Sequence, residues 1–289
     1  MATKKKDAEK PAPPRTAGVV GWPVGHSLSP LIHQTFAERE GADAVYLPIA
    51  VEPGFDAFSK AMDALKAMGV KGVNVTIPHK ENALRYAKAA SAPAKTAGAA
   101  NMLTFREDDP YAENSDILGF ASGLEAVLTA KDKRERAIVL GAGGAARGVI
   151  IALKSLGYSP VVILNRTAEK AQTLAKELGG EAAPWETRGE ALAGASLLVN
   201  TTSLGMTGEP PLEIDLAALP ETAIVADIVY KPLETALLAA AKARGLRVMD
   251  GLSMLMHQAV PGYKAWLGSI AVVDADLRAR LEKALQARS

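Results

Sequence analysis

A chain of 289 residues is long enough for about two domains at roughly 150 residues each, and its 48% hydrophobic and 22% charged residues exclude a largely disordered polypeptide. Lysine and arginine total 33 against 32 aspartates and glutamates, a net charge of +1, which removes the positive field that nucleic-acid binding needs. With no cysteine there are no disulfides, thiolate nucleophiles or thiolate metal sites, as suits a reducing cytoplasm, and no apolar run approaches the ~18 residues of a membrane span.

Residues 1–16 hold Lys4, Lys5, Lys6 and Lys10, then Pro11, Pro13 and Pro14, and read as a disordered basic tail. Ala17–Gly21 is a short apolar strand that runs into the loop Gly25-His-Ser-Leu-Ser-Pro30. Ser29-Pro30 has the form of a helix N-cap followed by proline at the first helical position, so a helix is expected over Leu31–Glu40. Val45–Val51 reads as a second strand, Phe55–Met68 as an amphipathic helix closed near Gly69, and Gly72–Ile77 as a third strand stopped by Pro78. This alternation is that of an α/β sheet. In Asn74-Val-Thr-Ile-Pro-His-Lys80, the period of two in a strand puts Asn74 and Thr76 on one face. Lys80 falls at the start of a helix, where its charge opposes the helix dipole, so helix stability alone does not recommend it. Asn101 and Asp116 follow. Polar residues gathered at strand ends suit a polyhydroxylated ligand, although each taken singly is also a common cap or turn residue. The four histidines, His26, His33, His79 and His257, show no paired metal-ligand spacing, and no metal is expected.

From Ala137 the chain becomes a run of βα units. Ala137–Leu140 is a buried strand, followed at once by Gly141-Ala-Gly-Gly-Ala-Ala-Arg-Gly148 and a helix to about Leu156. Gly141, Gly143 and Ala146 fit the dinucleotide-binding pattern between a strand and a helix. The first glycine permits the tight turn, the second lets backbone approach a pyrophosphate, and the small third residue allows close helix–strand packing. Val161–Leu164 is the next strand and Thr167–Leu178 the next helix. At the end of that strand an NAD site carries an acidic residue for the ribose hydroxyls, whereas this chain has Asn165-Arg166-Thr167. Arginine can grip a 2′-phosphate through two charge-assisted contacts, and Lys170 adds positive charge one turn later, so NADP is the expected cofactor. Strands at Leu197–Thr201, Ile224–Asp227 and Arg247–Met249 complete a doubly wound parallel sheet, and the chain from Ser253 onward is helical with no further strand.

The sequence resembles the shikimate dehydrogenase family over nearly all of residues 17–268. The motifs that carry the likeness are Gly21–Pro30, Asn74–Lys80, Gly98-Ala-Ala-Asn101, Asn114-Ser-Asp116, Gly141–Gly148, Asn165–Thr167, Asn200–Met206, Asp227–Pro232 and Gly251–Gln258. The resemblance implies an α/β protein of two domains. An N-terminal substrate domain (17–117 with 253–289) would join a Rossmann-type NADP-binding domain (118–252), with the last helices returning to the first. It implies NADPH-dependent reduction of 3-dehydroshikimate to shikimate on the route to aromatic amino acids. By that resemblance Ser27, Ser29 and Tyr230 hold the substrate carboxylate, and Thr76, Lys80, Asn101, Asp116 and Gln258 contact the ring hydroxyls. Lys80 and Asp116 match the catalytic pair. Gly141, Gly143, Gly144, Ala145, Asn165, Arg166, Thr167, Lys170 and Gly251 match cofactor-contacting positions.

The chemistry asks for such a pair. Hydride arriving at a ketone carbon leaves a developing alkoxide, and a lysine ammonium kept in place by a carboxylate supplies both proton and positive charge. Three departures from the family pattern stand out: Met102 and Ser115 where threonine is common, and the acidic stretch Glu107–Tyr111. Two other readings compete. One is a quinate/shikimate dehydrogenase preferring NAD, which should carry an acidic residue near Asn165–Thr167. The other is a non-catalytic dinucleotide-binding regulator, which needs no Lys80–Asp116 pair. The family includes monomers and homodimers, so the oligomeric state is open; the expected partner is a small molecule, not nucleic acid or membrane.

Overall fold

The computed structural model describes residues 13–107 and 109–287. The lysines of the expected tail lie outside these residues, but Arg15 and Thr16 do not belong to a tail. They open the first strand, β1 (Arg15–Gly21), by pairing with Ala44 and Val45 of β2 (Ala44–Ala50). The connecting helix α1 (Ser29–Glu40) begins two residues earlier than expected. Its N-cap is Leu28, with Ser29 and Pro30 already helical. The cap assignment to Ser29 is thus corrected: the Ser27 hydroxyl accepts the Ser29 N–H at 3.2 Å and relieves the helix start in its place.

After α2 (Phe55–Ala67), β3 (Gly72–Val75) stops short of the expected Ile77. The Thr76 carbonyl accepts the His79 N–H at 2.9 Å, which turns the chain into α3 (Lys80–Tyr86). Then follow β4 (Ala89–Ala90), α4 (Ala92–Ala97), β5 (Met102–Phe105) and β6 (Pro110–Glu113). The first sheet has the order β2-β1-β3-β5-β6-β4 and is mixed, with β5 antiparallel to both β3 and β6. Ala17 and Val19 enter one core with α1, while Val20 enters another with Phe58 and Met62 of α2, so both faces are covered.

Helix α5 (Ser115–Glu125) leads to the second sheet. Its elements are β7 (Ala137–Leu140), α6 (Gly144–Ser155), β8 (Val161–Asn165), α7 (Ala168–Leu178), β9 (Glu181–Pro184), β10 (Leu197–Asn200), β11 (Ile224–Asp227), α8 (Ala236–Ala243) and β12 (Arg247–Met249). All its pairings are parallel, in the order β12-β11-β10-β7-β8-β9, the doubly wound arrangement expected. Ala137 and Val139 join the core beneath α6 and α7, and Ile138 and Leu140 the core beneath α8. An unbroken apolar strand is what burial on both faces requires.

Two further helices, α9 (Gly251–Trp266) and α10 (Ala275–Gln286), return to the first sheet. Leu252, Met256, Tyr263, Leu277 and Leu281 share the core of Ala17 and Val19. Helix α5 buries Phe120 and Leu124 under the second sheet and lays Gly119 against α9. A Cβ on Gly119 would come 2.6 Å from Cβ of Gln258, so only glycine permits this approach. Residues 117–118 and 252–253, where the sequence suggests domain boundaries, lie inside α5 and α9, the helices that connect the sheets.

Candidate active site

Strand register brings the sequence-distant polar residues together. β5 and β6 pair antiparallel with Met102 opposite Glu113, so Asn101 and Asn114 flank the open end of the hairpin. The Asn114 side chain caps α5 by accepting the Asp116 N–H at 3.2 Å, which places Asp116 in the first turn, where a carboxylate suits the helix dipole. On the other side of β5, the Asn101 carbonyl accepts the Val75 N–H at 2.8 Å, and the Lys80 carbonyl accepts the Ala100 N–H at 2.9 Å. The three chemistry-bearing side chains converge there. Lys80 Nζ donates to Asp116 Oδ2 at 2.6 Å, and Asn101 Nδ2 donates to Asp116 Oδ1 at 2.8 Å. Both carboxylate oxygens are held, one by a charge and one by an amide. Lys80 and Asp116 remain partly exposed, at 35% and 22% of their side-chain surface, whereas Asn101 is buried.

The Asn101 oxygen is also engaged by protein. Oδ1 accepts the Ser115 N–H at 2.7 Å and the Ser115 hydroxyl at 3.2 Å. Ser115 also lies 3.4 Å from Gln258 Oε1, so α9 delivers Gln258 to the same cluster. Ser27 and Ser29 follow the carboxyl end of β1. A Cβ on Gly21, at that strand end, would come 2.4 Å from the Thr76 methyl, so the first motif and the Asn74–Lys80 motif meet. Behind them the Tyr46 hydroxyl donates to Asn74 Oδ1 at 2.7 Å, and Asn74 Nδ2 donates to the Asn101 carbonyl at 3.3 Å. Tyr230 comes from the loop after β11 yet packs on the core of the first sheet. Of the departures, Met102 is buried in that core. Of the acidic stretch, Asp108 lies outside the described residues, Asp109 pairs with Lys88 at 2.8 Å, and Pro110 and Tyr111 open β6.

Between the two sheets runs a cleft of about 580 Å³, within the usual range for ligand sites. Gly143, Gly144, Arg147 and Lys170 line it from the second sheet, and Glu81, Lys95, Thr96 and Gly98 from the first. Gly141 has φ +108°, and a Cβ there would meet Thr201 Oγ1 at 2.6 Å. Gly143 and Gly144 differ: an added Cβ would meet nothing within 4 Å, so their smallness serves the open space. The start of α6 has no side-chain cap, and its free N–H groups face that space. Asn165 Nδ2 donates to the Thr167 carbonyl at 2.9 Å and shapes the turn that brings Lys170 to the cleft. Arg166 is exposed just beyond the end of β8. Ala145 lies in the first turn of α6. Gly251 stands at the start of α9, where a Cβ would come 2.2 Å from the Ile228 carbonyl oxygen, so close packing demands glycine there.

Sequence reasoning did not single out Arg147 and Lys95 as cleft cations. Arg147 donates to the Thr96 carbonyl of α4 at 3.3 Å and pairs with Glu177, bridging the cleft. Its signal was its place in the glycine-rich motif. Among the described residues no helix is long and apolar enough to cross a membrane, and no cluster of three metal-ligating side chains occurs.

The chain is similar to known proteins along most of its length. Residues 19–103 match the shikimate dehydrogenase substrate binding domain, and residues 124–206 match the shikimate / quinate 5-dehydrogenase family. A shikimate dehydrogenase (NADP(+)) of Acidiphilium cryptum is 50% identical over 260 residues, covering 90% of this chain and 93% of its own. The crystal structure of shikimate dehydrogenase from Aquifex aeolicus is 36% identical with a TM-score of 0.83, covering 94% of this chain and 99% of that one. The shikimate 5-dehydrogenase of Thermus thermophilus, solved in complex with NADP(H) and shikimate, is 33% identical with a TM-score of 0.79, covering 95% of this chain and all of that one. The chain belongs to the shikimate dehydrogenase family.

Proposed function

We propose that this protein reduces 3-dehydroshikimate to shikimate with NADPH, reversibly, and that Lys80 and Asp116 are its acid–base pair. The observation that carries the reading is the Lys80–Asp116–Asn101 cluster beside a cleft lined by an uncapped glycine-rich helix start. The residues present fit the cofactor. Backbone N–H groups at Gly143, Gly144 and Ala145, where α6 starts, would take the pyrophosphate, and Arg166, Lys170 and Thr167 the 2′-phosphate end. When bound, NADPH supplies the hydride. As hydride reaches the ketone carbon, Lys80 Nζ gives its proton to the carbonyl oxygen and the product hydroxyl forms. Asp116 aims the ammonium through Oδ2 while Asn101 fixes Oδ1. In the oxidative direction the same pair receives the proton. Ser27, Ser29 and Tyr230 hold the substrate carboxylate, and Thr76 and Gln258 hold ring hydroxyls. Steady-state assays with shikimate and quinate, each with NADP and NAD, test the whole reading. Shikimate with NADP should give the highest kcat/KM, and failure to oxidise shikimate would overturn it.

Two variants probe the binding groups. Replacing Arg166 with alanine should remove a charge-assisted contact of on the order of 1.5–3 kcal/mol. Binding of NADP should weaken by roughly 10- to 150-fold while NAD is nearly unchanged. The contact is exposed, so rising salt should erode the NADP preference of the wild type, and losing Lys170 as well should deepen the defect. Equal losses of NADP and NAD would refute the assignment. The double change S27A/S29A should cost shikimate about 1–3 kcal/mol for each partner left unsatisfied. An analogue with a neutral group in place of the carboxylate should lose less. Equal losses for both ligands would reduce the serines to their part in starting α1.

A further inference from the structure

Two motif-bearing stretches of the second sheet, Asn200–Met206 and Asp227–Pro232, have no role in the chemistry above beyond Tyr230. They meet at one buried carboxylate. Asp227 ends β11 and is 1% exposed. Its Oδ1 accepts from Asn200 Nδ2 and from the Val229 N–H, both at 3.0 Å, and its Oδ2 accepts the Thr235 hydroxyl at 2.7 Å. None of these donors is a cation. Burial pushes the carboxyl up to about 6 in spite of the three donors. A buried acid held by these neutral donors is an expensive way to join loops, and a well-packed neutral residue would stabilise the core at less cost. That expense suggests a requirement other than stability.

Each donor belongs to a different segment. Asn200 Oδ1 accepts the Thr202 N–H at 3.0 Å and the Thr202 hydroxyl at 2.7 Å, while its amide also reaches the Leu204 carbonyl at 3.1 Å. It thereby shapes the loop after β10. Val229 sits on the loop after β11, one residue before Tyr230, and the Lys231 carbonyl of that loop accepts the Thr207 N–H at 2.8 Å. Thr235 caps α8. The chain of contacts continues, because the Val229 carbonyl accepts the Gly251 N–H at 3.3 Å. Gly251 begins the helix that carries Gln258 two turns later.

We propose that Asp227 is a positioning residue for the reaction: its carboxylate ties together the loops after β10 and β11 and the start of α9, and so sets Tyr230 and Gln258 against the substrate. It touches no reactant itself. This rests on the proposed function, in which Tyr230 and Gln258 bind the substrate. The loop after β10 also lies against the glycine-rich turn, since a Cβ on Gly141 would come 2.6 Å from Thr201 Oγ1, so loosening the knot should reach the nucleotide too, but less than it reaches Tyr230 and Gln258.

Three variants test it, read through kcat and KM for shikimate, NADPH affinity by fluorescence titration, and melting temperature. D227N keeps Oδ1 for Asn200 and Val229 and turns its amide to the Thr235 oxygen, so kcat/KM should stay within about threefold. D227A loses all three contacts, and kcat/KM for shikimate should fall by roughly 10- to 100-fold, as displacements near 1 Å at a reacting centre do. Its NADPH affinity should fall several-fold less than kcat/KM for shikimate does, a split that mere loss of folded protein cannot produce. Should D227A fail to fold, T235V removes one donor and carries the same expectation at a smaller size, roughly three- to tenfold. The proposal is overturned if D227A or T235V is folded with wild-type kcat/KM, if NADPH affinity falls in step with it, or if D227N is as defective as D227A. A wild type inactive on shikimate would instead sink the proposed function.

Discussion

The K80A variant is expected to fold and melt almost as the wild type does, while its kcat falls by roughly 10²–10⁴-fold, the contribution of a positioned general acid. The Michaelis constant for shikimate should move far less. The reason for the split is the geometry of the pair. Lys80 Nζ and Asp116 Oδ2 are 2.6 Å apart with both side chains partly in solvent, and ion pairs in such a setting add little to stability. Removing the ammonium takes away the proton donor for the developing alkoxide and leaves a carboxylate facing it, which adds repulsion where charge accumulates. Thermal melting followed by steady-state kinetics separates the two roles. A folded variant retaining more than half of the wild-type kcat would take Lys80 out of the mechanism.

The site was more legible than the fold around it, for a physical reason. The strands β7, β8, β10 and β11 are buried on both faces, so they stand out as apolar runs, and the glycine turn follows one of them directly. The segments between Tyr86 and Glu125 carry no such pattern. β4 has two alanines, and β5 and β6 have four residues each, held by pairing across the sheet rather than by their own periodicity. β9 lies at the sheet edge with exposed residues, and its strand state comes from its register with β8. Local sequence cannot reveal pairings that only tertiary structure supplies. Asn101 and Asp116 could be read as polar residues with a purpose, but their juxtaposition required the hairpin register. Ser29 shows the opposite error. The Ser-Pro signature pointed to a cap, yet Ser29 is already helical and the hydroxyl that relieves the helix start belongs to Ser27, two residues earlier.

The glycine positions divide in an instructive way. Gly141 is demanded by its backbone angle and by Thr201 above it, whereas Gly143 and Gly144 are demanded by nothing within the protein. A residue kept small where the fold leaves room is a statement about a ligand. The pattern of glycines alone could not distinguish these cases, and the structure does.

Acid should destabilise this protein through His33, and the H33F variant should be largely spared that effect. His33 on α1 is fully buried, stacked on Tyr46 with ring centroids 3.9 Å apart and planes 6° from parallel. Phe36 and Tyr263 flank the ring, and neither ring nitrogen makes a hydrogen bond. The imidazole therefore serves as a neutral aromatic surface. Burial pushes its pKa down to about 3, against a smaller upward pull from the nearby Asn74 side chain. In the unfolded chain it titrates near its usual value of about 6.5, so between those limits the unfolded state binds the extra proton. The stabilisation is complete above pH ~6.5 and is lost progressively as the pH falls toward ~3. From pH 7.5 to pH 5 the loss should be about 2 kcal/mol, growing by roughly 1.4 kcal/mol for each further unit. Phenylalanine keeps the stack and cannot titrate. Other groups, including Asp227 with its raised carboxyl, are present in both proteins and cancel in the difference. Urea unfolding of wild type and H33F at pH 7.5, 6 and 5 measures it, with the change in the gap between the two as the readout, so that any strain from the larger ring drops out. Parallel pH dependences would show that the imidazole finds a partner on protonation, and the neutral-ring account of this core would fall.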